Sequence, residues 1–125
     1  MDSSISGIGQ ICLTVTSIDN ALPFYKDLLG GTVLAVPSPT LAFVQFDDIR
    51  VMLMAQSGGS QPPANSLVYF RATDIEDTFD DIVERGGFPE RAPEKVANLG
   101  DQEIWMAFLR DPDGSIIGLM EERPQ

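Results

Sequence analysis

The sequence predicts an α+β fold built from two copies of one module, a strand, a helix and a following hairpin. Three observations carry this. ICLTVTSIDNALPFYKDLLGG is similar to VYFRATDIEDTFDDIVERGG, with Thr16 matching Thr73 and Ile18 matching Ile75 at an offset of 57. Both segments run from a period-two strand pattern into a helical one. Each half then carries two more strand-like runs around a turn sequence, Asp47-Asp48 in the first and Asp111-Pro112-Asp113-Gly114 in the second.

In residues 8–15, Ile11, Leu13 and Val15 alternate with Gln10, Cys12 and Thr14, which predicts a strand. Leu22, Tyr25, Leu28 and Leu29 then keep helical spacing, with Ser17 or Asp19 as the cap. A short strand is expected around Thr32–Ala35, followed by the hairpin LAFVQF/RVMLMA. Its two-residue turn pairs Phe43 with Met52 and Leu41 with Met54. In the second copy, residues 67–72 alternate as a strand, and Ile75, Phe79, Ile82 and Val83 mark a helix capped by Thr73 or Asp74. Residues 91–103, RAPEKVANLGDQE, read as a long loop. The last hairpin, IWMAFLR/SIIGLM, is expected to close on a four-residue turn that pairs Leu109 with Ile116, Ala107 with Gly118 and Trp105 with Met120. The glycine pairs 30–31 and 86–87 end the two helices, but at an offset of 56, one residue short of the rest. The 125 residues suit one domain: module one at about 6–56, a Gly-, Ser- and Pro-rich linker at about 57–66, and module two at about 67–122.

Composition removes several function classes. Nineteen acids against eight basic residues give a net charge of −11, which disfavours nucleic acid as a partner. With no histidine, a Ser-His-Asp triad, a Cys-His pair and the usual zinc sites are excluded within this chain. The single Cys12 rules out an internal disulfide and suits a reducing compartment. No apolar run reaches membrane-spanning length, and MDSSISGIGQ lacks the basic-then-apolar pattern of a signal peptide. The expectation is a cytoplasmic protein with no membrane partner.

The order of these motifs resembles the vicinal oxygen chelate superfamily, the glyoxalase, bleomycin-resistance protein and dioxygenase group. ALPFYKDLLGG is similar to its helix motif and WMAFLRDPDG to its late hairpin, and the likeness runs over roughly residues 8–121. The resemblance implies two βαβββ modules forming a curled, cup-shaped mixed sheet with helices outside, a small-molecule site in the cup, and a homodimer. It also implies a divalent metal held from four strand positions by His, Glu or Gln. Those positions fall here on Gln10, Met52, Leu67 and Gly118. A Met thioether is a soft ligand unsuited to the metals these enzymes use, and Leu and Gly offer no donor, so no metal or other cofactor is expected.

On this reading the cup wall comprises Gln10, Cys12, Leu41, Phe43, Met52, Met54, Leu67, Tyr69, Arg71, Trp105, Gly118 and Met120. It is a mostly apolar wall with a few polar groups. The expected function is metal-independent binding or sequestration of a small apolar or aromatic molecule, a cationic one if the net charge guides it. The alternatives are a glyoxalase-like lyase or isomerase, or a dioxygenase-related enzyme, and a purely structural dimer scaffold. The first of these would act through Gln10 and a different metal site, or by acid–base work at Glu94 or Tyr69. Arg71 is open to a ligand anion or to an acid such as Asp101 or Glu103.

Overall fold

Alternation of small apolar and polar side chains makes Ile11–Val15 a strand, β1, with Leu13 and Val15 buried. In the computed structural model, which describes residues 8–55 and 66–125, it opens a first four-stranded sheet. The expected linker at 57–66 lies, apart from Ser66, outside the described residues. The chain divides into two compact units, Met1–Pro63 and Ala64–Gln125.

In the first unit, β1 is followed by the helix α1 (Ile18–Leu22), β2 (Thr32–Ser38), β3 (Leu41–Phe46) and β4 (Ile49–Ala55), in the sheet order β1-β4-β3-β2. Ser17 is the cap, its hydroxyl accepting the Asn20 N–H. Beyond Leu22 the helix widens into a π-helical stretch, Pro23–Leu28, in which the Leu29 N–H reaches five residues back to the Phe24 carbonyl. A π-turn is how a helix absorbs one extra residue. It accounts for the slipped offset: the first copy has twelve steps from Ile18 to Gly30, the second eleven from Ile75 to Gly86. Both glycines end their helices at positive φ, 82° and 106°. The wider turn also puts consecutive aromatics into the core, Phe24 and Tyr25, edge to face with centroids 5.0 Å apart. Ile18, Ala21, Leu13, Val15, Ala42, Val44, Val51 and Leu53 complete that core. The β3–β4 register matches expectation: Phe43 faces Met52 and Leu41 faces Met54. Asp47 in the two-residue turn takes φ 53°, a conformation Asp adopts more readily than most residues.

In the second unit, β5 (Tyr69–Arg71) leads into α2 (Ile75–Glu84), β6 (Phe88–Leu99), β7 (Gln102–Arg110) and β8 (Ile116–Pro124), in the order β5-β8-β7-β6. Asp74 caps α2, accepting the Asp77 N–H. Ile75, Phe79 and Ile82 point into a core with Ala107, Leu109, Ile117 and Leu119.

Two expectations are corrected here. Most of residues 91–103 is not a loop: β6 runs through Leu99 and pairs antiparallel with β7. It is an edge strand broken by bulges near Pro89, Arg91 and Lys95, and almost every side chain on it is exposed. Prolines, charges and bulges are how edges are protected from further pairing, and they erase the period-two pattern from the sequence. Second, β7 and β8 pair one residue out from expectation: Leu109 with Ile117, Phe108 with Gly118, Met106 with Met120 and Trp105 with Glu121. Asp111 is the cause. Its N–H donates to the Ser115 carbonyl, so the turn holds three residues, Pro112–Gly114, rather than four. Its carboxylate accepts the N–H groups of Asp113 and Ser115, both at 2.9 Å, and Gly114 supplies the left-handed residue at φ 85°. Asp111 is 5% exposed, the one charged side chain counted as buried among the described residues.

Asp111→Ala removes an acceptor from two backbone N–H groups at the closing point of the hairpin. It should destabilise the protein by about 1–3 kcal/mol in urea titrations. A loss near zero would mean that the turn is held by the backbone alone.

Candidate functional site

Each sheet has one face covered by its helix and one helix-free face, and period two decides which side chains go where. In the first unit the helix-free face collects Gln10 and Cys12 from β1 and its entry, Arg50, Met52 and Met54 from β4, and Leu41 and Phe43 from β3. Met52 lies between Cys12 and Phe43, and Met54 between Thr14 and Leu41. Gln10 is committed on both sides of its amide. Its carbonyl accepts the Arg50 Nε–H at 2.9 Å, and its amide nitrogen lies 3.6 Å from the Met52 sulfur. The Arg50 guanidinium also stands 5.7 Å from the Phe43 ring centroid, within cation–π reach. Arg50 was missed in the sequence, although its place two residues before Met52 in RVMLMA was the available signal.

In the second unit the helix-free face carries Tyr69 and Arg71 from β5, Met106 and Phe108 from β7, and Gly118 and Met120 from β8. Tyr69 and Phe108 flank Gly118 on its two sides, and their rings meet edge to face, 5.9 Å apart at 65°. The absent side chain is what admits them: a β-carbon at Gly118 would overlap the Tyr69 ring. Leu67, just before β5, is 45% exposed. Arg71 sits beside Met120, and its guanidinium has no ion pair or hydrogen bond among the described residues, so neither Asp101 nor Glu103 takes it. Glu94 is exposed and ion-paired with Arg91.

Trp105 is corrected out of this wall, along with the expected Trp105–Met120 pair. The three-residue turn puts it on the helix-bearing face, opposite Glu121. There the Arg123 guanidinium stacks 4.2 Å from the Trp105 ring centroid, and the indole N–H donates to Glu103. Arg123 also binds Glu76 on α2 and Glu121 beside it, and Glu121 accepts the Ile75 N–H at 2.9 Å in the first turn of α2. This cluster fastens α2 to its sheet. The Arg123 guanidinium holds the Glu121 carboxyl below the ordinary glutamate range, with the Ile75 N–H assisting and burial opposing. The Trp105 indole and Lys95 lower Glu103 in the same way, against burial.

The four positions at which the family resemblance would place metal ligands therefore carry an amide already engaged by a guanidinium, a thioether, an exposed Leu and a Gly beneath an aromatic ring. Among the described residues, no three His, Cys, Asp or Glu side chains cluster as a metal-holding group. No helix of the described residues is long and apolar enough to cross a membrane.

The family model of the Glyoxalase/Bleomycin resistance protein/Dioxygenase superfamily matches residues 7–119. The chain belongs to that superfamily. Among its relatives, Virulence protein STM3117 of Salmonella typhimurium is 26% identical, with 94% of this chain and 85% of the relative covered. The crystal structure of that virulence protein superposes with a TM-score of 0.75 at 24% identity, covering 95% of this chain and 98% of the other. TnmS3, an antibiotic binding protein from a Streptomyces species, gives 0.72 at 23% identity over 99% and 100% of the two chains. A lactoylglutathione lyase from Agrobacterium tumefaciens gives 0.73 at 18% identity over 94% of each. These superpositions establish the superfamily's α+β architecture of two modules, as the sequence predicts.

Two outcomes follow from the geometry. Gly118→Ala should destabilise by about 1–3 kcal/mol through the Tyr69 overlap, and much of that cost should vanish in a Tyr69→Ala background, read from a double-mutant cycle. Additive effects would show that the ring and the glycine do not compete. Glu121→Gln should destabilise at neutral pH, where the carboxylate is ionised and bound. Because the folded carboxyl titrates low, its contribution is full above the ordinary glutamate pKa and is lost as pH falls through the lowered one. The stability gap between wild type and Glu121→Gln should therefore narrow from pH 7 to pH 3.

Proposed function

We propose that this chain is a metal-independent small-molecule binding protein of the glyoxalase and bleomycin-resistance type, with an apolar or aromatic ligand seated on a helix-free sheet face. The observation that carries this reading is the donor chemistry at the four family positions. A divalent cation needs several oxygen, imidazole or thiolate donors. Gln10 offers one amide oxygen, and that oxygen faces the Arg50 cation at 2.9 Å. Met52 offers a soft sulfur, while Leu67 and Gly118 offer nothing. On this reading these positions lack the donors for metal chemistry, while each face keeps its apolar side chains.

The wall itself supports binding. Met52, Met54 and Met120 adapt to varied shapes, and Phe43, Tyr69 and Phe108 offer flat surfaces. Cys12 is exposed beside Met52 on the first of these faces. The antibiotic-binding activity named for TnmS3 is the kind of role this reading assigns. The charge on the first face narrows the ligand there: Arg50 is its charged strand residue, so an anionic or neutral aromatic suits it better than the cation suggested by net charge, while the second face mixes Arg71 and Arg110 with Glu94 and Glu122. The superfamily resemblance carries a homodimer with it as part of the same proposal.

The test is a thermal-shift screen of aromatic small molecules, antibiotics included, on protein purified without a histidine tag, paired with elemental analysis. A binder at a hundredfold excess over its Kd should add about 2.7 kcal/mol of stability and shift the methyl resonances of Met52, Met54 or Met120. Elemental analysis should find no stoichiometric divalent ion. A stoichiometric ion that disappears in Gln10→Ala would overturn the proposal, as would a wall that responds to nothing across the library.

A further inference from the structure

We infer that Arg50 is an anion anchor on the helix-free face of the first sheet, and that Gln10 is its positioning residue. The ligand class is an aromatic molecule bearing a carboxylate or a similar oxyanion. This rests on the binding role proposed above and specifies the chemistry of one part of it.

The argument starts from charge. The chain has only eight basic side chains against nineteen acids. Five of the eight are ion-paired: Arg85, Arg91, Lys95, Arg110 and Arg123. In so acidic a chain, a guanidinium left without a carboxylate on an apolar sheet face is a departure from the general pattern. Arg50 is such a group, with a neutral amide and an aromatic ring as its partners among the described residues.

The geometry gives those partners a role. Gln10 takes Nε–H, the one donor that lies along the stem of the side chain. That bond fixes the plane of the guanidinium and leaves the two terminal nitrogens, the fork that grips a carboxylate with two parallel hydrogen bonds. A neutral acceptor does this without cancelling the positive charge, which a Glu or Asp at position 10 would do. Phe43 lies beneath the cation and Met52 beside the amide, so an aromatic body has an apolar surface next to the fork. The guanidinium is exposed and preoriented, which lowers the ordering cost of taking an anion.

The experiment compares 1-naphthoate with neutral 1-naphthamide on the full chain, following the Arg50 Nε–H and the methionine methyl signals by NMR. Wild type should bind naphthoate about tenfold more tightly than naphthamide, in line with a charged hydrogen-bond pair. Arg50→Gln should abolish that preference while moving naphthamide by less than about twofold. Arg50→Lys, which keeps the charge but not the fork, should retain only part of it. Gln10→Ala should weaken naphthoate alone and add nothing in the Arg50→Gln background. Gln10→Glu should depress naphthoate further, since the new carboxylate occupies the guanidinium, with the melting temperature unchanged; a merely structural Gln10 would not produce that pattern. Equal affinity for both probes, or a preference that survives Arg50→Gln, would overturn the anchor while leaving the binding role intact. Failure of both probes in wild type overturns the anchor too, and the library screen then decides the binding role separately.

Discussion

The Asp111 carboxylate sets which side chains of the second sheet face the helix and which face away. It accepts two backbone N–H groups while the Asp111 backbone N–H donates to the Ser115 carbonyl, and the hairpin turn closes on three residues. Because side chains alternate at period two, a shift of one residue in β8 reverses every partner across the hairpin. With the observed register, Gly118 falls between Tyr69 and Phe108, and Glu121 and Arg123 reach the first turn of α2. With the four-residue turn, Trp105 would have faced Met120, and the Arg123 clamp would have lost its stacking partner.

The first sheet is organised differently, around neutral contacts to a cation. Gln10 stands where the family resemblance implies a metal ligand, and its amide carbonyl accepts the Arg50 Nε–H. A lone polar side chain at the entry to an apolar strand thus acquires a partner from β4, forty residues away in sequence. Buried or half-buried amides need partners, and the nearest suitable donor on that face is a guanidinium. The positive charge of Arg50 on the helix-free face of the first sheet runs against the charge of the chain as a whole.

Much of the architecture was legible in the residues. The caps at Ser17 and Asp74, the strand alternation of both opening strands and the first hairpin register all follow from local rules. The slipped repeat offset already marked the extra residue that the π-helical stretch absorbs at Pro23–Leu28. Strand β6 was illegible because an edge strand needs only one paired side and tolerates prolines, charges and bulges that look like a loop. Placing Trp105 failed for a different reason: DPDG fits a three- or four-residue turn, and a side chain's hydrogen bonds choose between them.

The sequence by itself determined the two-module α+β fold, because periodicity, capping and turn chemistry act over a few residues, and the order of its motifs carried the resemblance to the superfamily. Only the tertiary structure decided that Gln10 meets Arg50, that Tyr69 and Phe108 close over Gly118, and that Trp105 belongs to the clamp on α2. Those contacts join residues far apart in the chain, and they depend on strand register, which one hydrogen-bonded turn can shift by a residue without changing the pattern that predicts the strand.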